Sequence, residues 1–364
     1  MSSASLKIRK LATKNRIILT FLKKFSYIVS NCHEIILTLI ILTFMKIEPE
    51  ILVNIVNDCL VQGKCPDSWK YTVVTPIPKV KNSIKASDKR PINKAPTLDK
   101  ILQTIVKLQL EEHIQENNLL SMYQSAFREK HSCETSLNFV LNQWKQIKAE
   151  KRKIVAIFID LRRAFETIDR SILIDVLKSF NITGTVLNWF TSWLTNRVQY
   201  TCFCGVMSNE MNIDLGVPQG TPLSCPLFNV YINEIVDYVL HCKLNLFADD
   251  ALLWIDAETM EEALVKITCD FKNVIHFLCM RKLSLNVEKT KLMIIGDQGS
   301  EIENIQINNN SIERVTNIKY LGVIIDDNLQ FKMNIENVAR KMSQKVGFLN
   351  RNCKKLTYDT RLTL

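Results

Sequence analysis

The chain is poor in the residues that punctuate or staple a fold. Glycine and proline number nine each in 364 residues and do not cluster into a linker, and no internal repeat or low-complexity tract is present. Eleven cysteines occur, none in a C-x-x-C pair, and Cys202 and Cys204 are separated by a single residue. That number is odd and too scattered for a disulfide scaffold, so the pattern predicts a reduced intracellular protein without a zinc site. Long apolar runs are also missing. The stretch IILTLIILTFM, Ile35 to Met45, falls well short of the ~20 residues needed to span a bilayer. KIEPE follows it where a secretory signal would place small residues for cleavage, so a buried helix or strand is expected and stable membrane association is not. Apolar residues at 47% and charged residues at 23% are ordinary globular proportions and exclude extensive disorder.

Charge is unevenly placed. Residues 1–100 hold 17 Lys/Arg against 7 Asp/Glu, and residues 332–364 hold 8 against 2. The middle, 101–331, carries 22 against 28. Basic ends around an acidic centre suit a polyanion held at both ends, and Lys-rich solvated helices produce the same pattern.

From about 46 to 150 the chain reads mostly helical, around a basic extended stretch, TPIPKVKNSIKASDKRPINK. In TLDKILQTIVKLQLEEHI, Leu98, Ile101, Leu102, Ile105 and Leu108 repeat at helical spacing, with Thr97 or Asp99 as the expected cap. From 151 to 331 strands and helices alternate. Residues 153–159 and 292–296 are short apolar runs of buried-strand type, and apolar positions at 260, 264, 267, 271, 274 and 278 mark an amphipathic helix. The last 33 residues read as a basic helical segment that stops without a C-cap signal.

Three stretches carry chemistry. Asp160 ends KIVAIFID and precedes LRRAFETIDR, which reads as helix; a carboxylate there points into the crevice at a strand end, or caps the helix. LNLFADDALLWI reads as strand, tight turn, strand, which lifts Asp249 and Asp250 to one end of a sheet. Adjacent half-buried carboxylates need a positive partner, whereas Asp326–Asp327 in VIIDDNLQF reads as an ordinary solvated turn. If the strand ending at Asp160 lies beside the hairpin, three carboxylates converge. Such a set suits hard divalent cations, and two of them activate a hydroxyl and stabilise a leaving oxyanion in phosphoryl transfer. The third stretch, DLGVPQGTPLSCPLFNVYINEI, joins a Gly/Pro loop to an apolar helix. Gly216 and Gly220 permit close backbone approach to a ligand, and the helix start offers N–H groups to an anion; a plain turn before a core helix fits equally.

In this order the motifs resemble those of reverse transcriptases, specifically the jockey-like, LINE-type enzymes of non-LTR retrotransposons. DLRRAFETIDR, GVPQGTPLSCPLFNVYINEI, NLFADDALL, KLSLNVEKTKLM and KYLGVIIDDNLQF are similar to five successive palm motifs. GKCPDSWKYTVVTPIPK, DKRPINKAPTLDKIL and QSAFREKHSCETSL resemble fingers motifs, so the likeness spans about 51 to 355. It implies an α+β right-hand polymerase fold: fingers over 46–150, a palm with an antiparallel sheet over 151–331, and a partial helical thumb over 332–364. Residues 1–45 stay unassigned, and no endonuclease segment is recognisable. The implied activity is RNA-directed DNA polymerisation, with Asp160, Asp249 and Asp250 ligating two Mg2+ ions, for which Mn2+ can substitute. Phe165 stands at the aromatic gate against a ribose 2′-OH, or is a core phenylalanine. Lys79, Arg90, Gln219 and Gly220 correspond to nucleotide-binding positions, although a solvated loop charge describes Lys79 as well. Lys289 matches a lysine proposed to protonate pyrophosphate, and an exposed helix-end lysine looks the same. Glu166 replaces an aspartate frequent in the family. Implied partners are an RNA template, a DNA primer and dNTPs, in the nucleus or cytoplasm. The alternatives are an element-derived relic that binds nucleic acid without polymerising, and an RNA-synthesising polymerase, which Phe165 disfavours.

Overall fold

The computed structural model describes residues 49–79, 83, 85–296, 304–307 and 310–352. The apolar run 35–45 and the final residues 353–364 lie outside them. The chain divides into two compact units, one built mainly from segments up to 121 and 163–234, the other from 122–162, 235–279 and 284 onward.

The first unit is organised on a five-stranded sheet. Strands β1 (Tyr71–Pro78) and β2 (Lys89–Lys94) pair antiparallel, with Ile77 opposite Arg90, and account for the basic extended stretch. Beside β1 runs β5 (Arg197–Phe203), in parallel, and β5 carries the short antiparallel strands β6 (Val206–Met207) and β7 (Met211–Ile213). The helices are α1 (Pro49–Gln62), α2 (Thr97–Glu116), α4 (Arg170–Ser179), α5 (Gly184–Leu194) and α6 (Ser224–Ile232). Neither Thr97 nor Asp99 caps α2; Pro96 occupies the N-cap. Asp99 is fully buried instead, bonded to Gln103 at 2.8 Å and 3.9 Å from the Arg197 guanidinium. A carboxylate on the inward face of a helix is taken up by a buried cation before it can serve an end amide.

The second unit is built on a four-stranded antiparallel sheet. In sheet order its strands are β11 (Lys291–Ile295), β3 (Lys153–Ile159), β9 (Asp250–Ala257) and β8 (Lys243–Phe247). Every residue of β3 after Lys153 is buried, as a central strand covered on both faces requires. Helix α3 (Cys133–Ala149), held at its start by a Ser132–Thr135 capping box, lays Leu137, Val140, Leu141 and Trp144 on Ile154, Ala156 and Phe158. The Trp144 ring meets Phe158 and Trp254 edge-on at 6.3 and 6.0 Å. The amphipathic pattern over 260–278 becomes α7 (Met260–Met280), and β4 (Leu161–Arg162) pairs with β10 (Ser284–Leu285). Hairpins β12 (Asn304–Ile307)–β13 (Asn310–Glu313) and β14 (Asn317–Tyr320)–β15 (Val323–Asp326) lead to the basic helix α8 (Lys332–Asn352).

Residues 161–170 are not the helix expected from sequence. After β4 the chain turns, with Arg163 at φ +49° and the Glu166 and Thr167 amides folded back on the Arg163 carbonyl, and helix begins only at Arg170. The reason is competition for backbone groups. The carbonyls of Phe165 and Ile168 accept from the Val217 and Gly216 amides at 2.9 and 2.7 Å, so they are spent on another segment.

Candidate active site

Strand register brings the three carboxylates together. β3 pairs with β9 so that Ile159 lies opposite Ala251, which places Asp160 at the level of Asp250 on the neighbouring strand. β8 pairs with β9 through Phe247 and Asp250, leaving Ala248 and Asp249 as a two-residue turn. Ala248 has φ +56°, an uncommon conformation for a residue with a Cβ. It is held by Gln124, whose buried side-chain oxygen accepts from the Ala248 and Ala126 amides at 3.1 and 3.0 Å. Backbone bonds from Ser125 to Leu246 and from Leu246 to Tyr123 tie the same segment to β8.

Burial, then the charge of Asp249, then that of Asp160, pushes the Asp250 carboxyl up to about 6. Like charges crowded in this way favour a multivalent cation, and an all-carboxylate donor set matches hard divalent ions. Asp160 is fixed from a third direction. Asn286 donates to its Oδ2 at 2.8 Å, the Asn286 amide reaches its carbonyl at 2.8 Å, and its own amide donates to Thr290 Oγ1 at 3.2 Å. No helix follows Asp160, and Asp169 caps α4 in its place, so Asp160 is a strand-end carboxylate. Lys289 lies exposed in this 286–290 turn, its amide bonded to the Asn286 carbonyl, and does not end a helix.

The first unit gathers a second set. Phe165 is half-buried and stacks on Phe228, ring centroids 4.7 Å apart. Gln219 donates to Glu166 at 3.2 Å, and its carbonyl accepts from Asn93 of β2 at 2.8 Å. Gly216 has φ +76°, and a Cβ there would lie 2.6 Å from the Glu166 carbonyl oxygen, so no other residue fits. Gly220, at φ +89°, faces Ile92. Arg90 is exposed and, by the two-residue period of a strand, shares a face of β2 with Ile92. Lys79 lines a cavity of about 360 Å³ with Lys89, Arg163, Glu166 and Phe203. A neighbouring cavity of about 460 Å³ is lined by Asn93, Glu166, Gly216 and Gln219. The start of α6 does not offer its first amide to an anion, because Ser224 is buried and that amide goes to the Thr221 carbonyl.

Four residues of these sites were not singled out by sequence reasoning: Gln124, Asn286, Thr290 and Arg170. The Arg170 guanidinium is buried and donates to the carbonyls of Gly216 (2.9 Å), Leu194 (2.6 Å), Leu215 (3.0 Å) and Ile213. Burial pulls its pKa down to about 10, with the charge of Arg197 adding to the effect. One side chain thus fixes the entry to the Gly-Val-Pro-Gln-Gly loop. Asn286 and Thr290 flank Lys289 in a motif already recognised, and that adjacency was the available signal.

A family model described as reverse transcriptase (RNA-dependent DNA polymerase) matches residues 77–325. The probable RNA-directed DNA polymerase from transposon X-element of Drosophila melanogaster is 23% identical, over 82% of this chain and 34% of that protein. The RNA-directed DNA polymerase from mobile element jockey of the same organism is 22% identical over 82% and 33%. The Pol polyprotein of type-1 retrotransposable element R2 from Popillia japonica is 25% identical over 79% and 42%. The chain spans about a third of the length of the first two. Reverse transcriptases act on nucleic acid template, primer and dNTPs and use divalent metal ions, and no helix among the described residues is long and apolar enough to cross a membrane. With the family match covering more than half of its residues, the chain belongs to the reverse transcriptase (RNA-dependent DNA polymerase) family.

Proposed function

We propose that this chain is an RNA-directed DNA polymerase of a non-LTR retrotransposon, copying an RNA template from a DNA primer inside the cell. The observation that carries the reading is the register that sets Asp160 level with Asp250, beside Asp249 at the hairpin tip. These three carboxylates would hold two Mg2+ ions, with Mn2+ as a substitute. When bound, the ions supply charge stabilisation for the attacking and leaving oxygens of phosphoryl transfer. In the overall reaction the primer 3′-hydroxyl gives up its proton to solvent as its oxygen bonds to the dNTP α-phosphorus, and the bond to the bridging oxygen breaks to release pyrophosphate.

The protein's own contribution is placement and selection. Asn286 holds the Asp160 carboxylate in one orientation, and Gln124 holds the strained turn that carries Asp249. Phe165, braced by Phe228, would exclude the ribose 2′-OH, while Gln219 and Gly220 would lie along the nucleotide. Lys79 and Arg90 would pair with triphosphate oxygens. Lys289, exposed on the turn that anchors Asp160, would return a proton to pyrophosphate. In family terms, 46–150 are fingers, 151–331 palm and 332–364 part of a thumb, the last represented by basic α8.

Primer extension on a primed RNA template, with Mg2+ and dNTPs, tests the reading. Extension that disappears in Asp249→Asn, Asp250→Asn supports it. Hybrid binding without extension by the unaltered chain would support the binding-only alternative. Ribonucleotide incorporation that stays excluded in Phe165→Val would remove the gate assignment.

A further inference from the structure

In the second unit, at the end of β8 opposite the Asp249 turn, the segment before the strand meets α7. Nδ1 or Nε2 of His241, the Cys269 sulfur and a carboxylate oxygen of Asp270 all lie within 4.8 Å of one another. A fourth donor is adjacent in the chain: Cys242 follows His241, and its backbone amide donates to the same Asp270 carboxylate. The Asp270 carboxylate is fully buried and unevenly used. Its Oδ2 accepts from the His241 and Cys242 amides, both at 2.7 Å, whereas Oδ1 is buried with no hydrogen-bond partner. A buried carboxylate oxygen left unmatched is costly unless a cation is to fill the place. Lys266 lies one helical turn away, and its ammonium is bonded to Glu262 at 2.5 Å.

We propose that His241, Cys242, Cys269 and Asp270 form a binding site for a zinc-type divalent cation, distinct from the carboxylate trio. One nitrogen, two sulfurs and one oxygen make a four-donor set suited to tetrahedral Zn2+, and thiolates discriminate against the harder Mg2+. Binding releases the thiol protons to solvent and places positive charge beside Asp270 Oδ1. The donors come as two adjacent pairs, His241-Cys242 and Cys269-Asp270, so no C-x-x-C spacing announces them. The structural result would be a clasp between α7 and the lead-in to β8, the strand that carries the Asp249 turn.

The test is titration of the reduced, metal-free chain with Co2+ in excess Mg2+. The expected result is tetrahedral visible bands with thiolate charge transfer in the near ultraviolet, displaced by Zn2+. Binding should weaken at least about tenfold in Cys269→Ala and in Cys242→Ala, and stay unchanged in Asp249→Asn, Asp250→Asn. Cys269 is exposed, so its replacement leaves the core intact. Absence of thiolate bands, or bands undiminished in Cys269→Ala, would overturn the proposal.

Discussion

The second unit contains two Asp-Asp pairs next to strands, and they sit in opposite surroundings. Asp326 ends β15, and its carboxylate is fully engaged by backbone. It accepts from Asn328 and Gln330 amides at 3.1 and 2.9 Å and from the Phe331 amide, while Asp327 accepts from the Asn328 side chain at 2.9 Å. At the other pair the neighbours that raise the Asp250 pKa are burial and two further carboxylates. Identical dipeptides therefore differ in their surroundings: one carboxylate is satisfied by amides of its own loop, whereas at the other pair burial and crowded carboxylates raise the Asp250 pKa to about 6.

The sharpest way to break this contrast is to neutralise each pair in turn. Asp249→Asn, Asp250→Asn is expected to lower primer extension by at least about a thousandfold. Asp326→Asn, Asp327→Asn should leave it within a few fold, because the remaining amide oxygen still accepts from the Asn328 and Gln330 amides and only the Phe331 amide loses its acceptor. Equal losses in the two variants would erase the distinction. Next comes the turn itself. Gln124→Leu leaves the Ala248 and Ala126 amides buried without an acceptor, at about 1–3 kcal/mol. Urea unfolding should show that loss, and extension should fall about tenfold as the Asp249 turn relaxes. A smaller effect is expected at the self-satisfied pair, where Asp326→Ala removes the acceptor for three amides and should cost about 1–2 kcal/mol in the same assay, with extension per folded molecule retained.

A third acid separates burial from crowding. Asp99 is raised to about 6 by burial, against the opposing pull of Arg197 and Gln103. Its folded-state value lies above the unfolded one, so its contribution favours the folded state at low pH. That contribution fades as pH rises from about 4 to 6, because the unfolded chain ionises first. Above that window it is constant. Asp99→Asn should therefore flatten the stability profile over this window relative to the unaltered chain, as measured by urea unfolding at successive pH values. A parallel profile in the variant would show that Arg197 neutralises Asp99 fully.

These contrasts also mark what was legible from sequence. The strand 153–159, the hairpin at Asp249, the helix over 260–278 and the turn at Asp326 all announce themselves, because each is governed by a local period or a local turn. Residues 161–170 did not, because their carbonyls are claimed by amides at 216 and 217, a pairing that no local propensity records. Gln124 and Arg170 were hidden for the same reason: each is a polar side chain whose partners are backbone groups distant in the chain. Asp99 looked like a cap because only the fold supplies Arg197.

The β3–β9 ladder has one more consequence. Level placement of Asp160 and Asp250 is counted out along the main-chain ladder, residue against residue, with the alternation of apolar faces fixing the register and the identity of each apolar residue mattering less. Swapping valine, isoleucine and leucine for one another along the two strands alters packing and leaves the count of residues untouched. Deleting a single residue from either strand would shift the count by one and turn a carboxylate to the opposite face. Such a site can drift widely in amino-acid identity while remaining intolerant of any change in strand length.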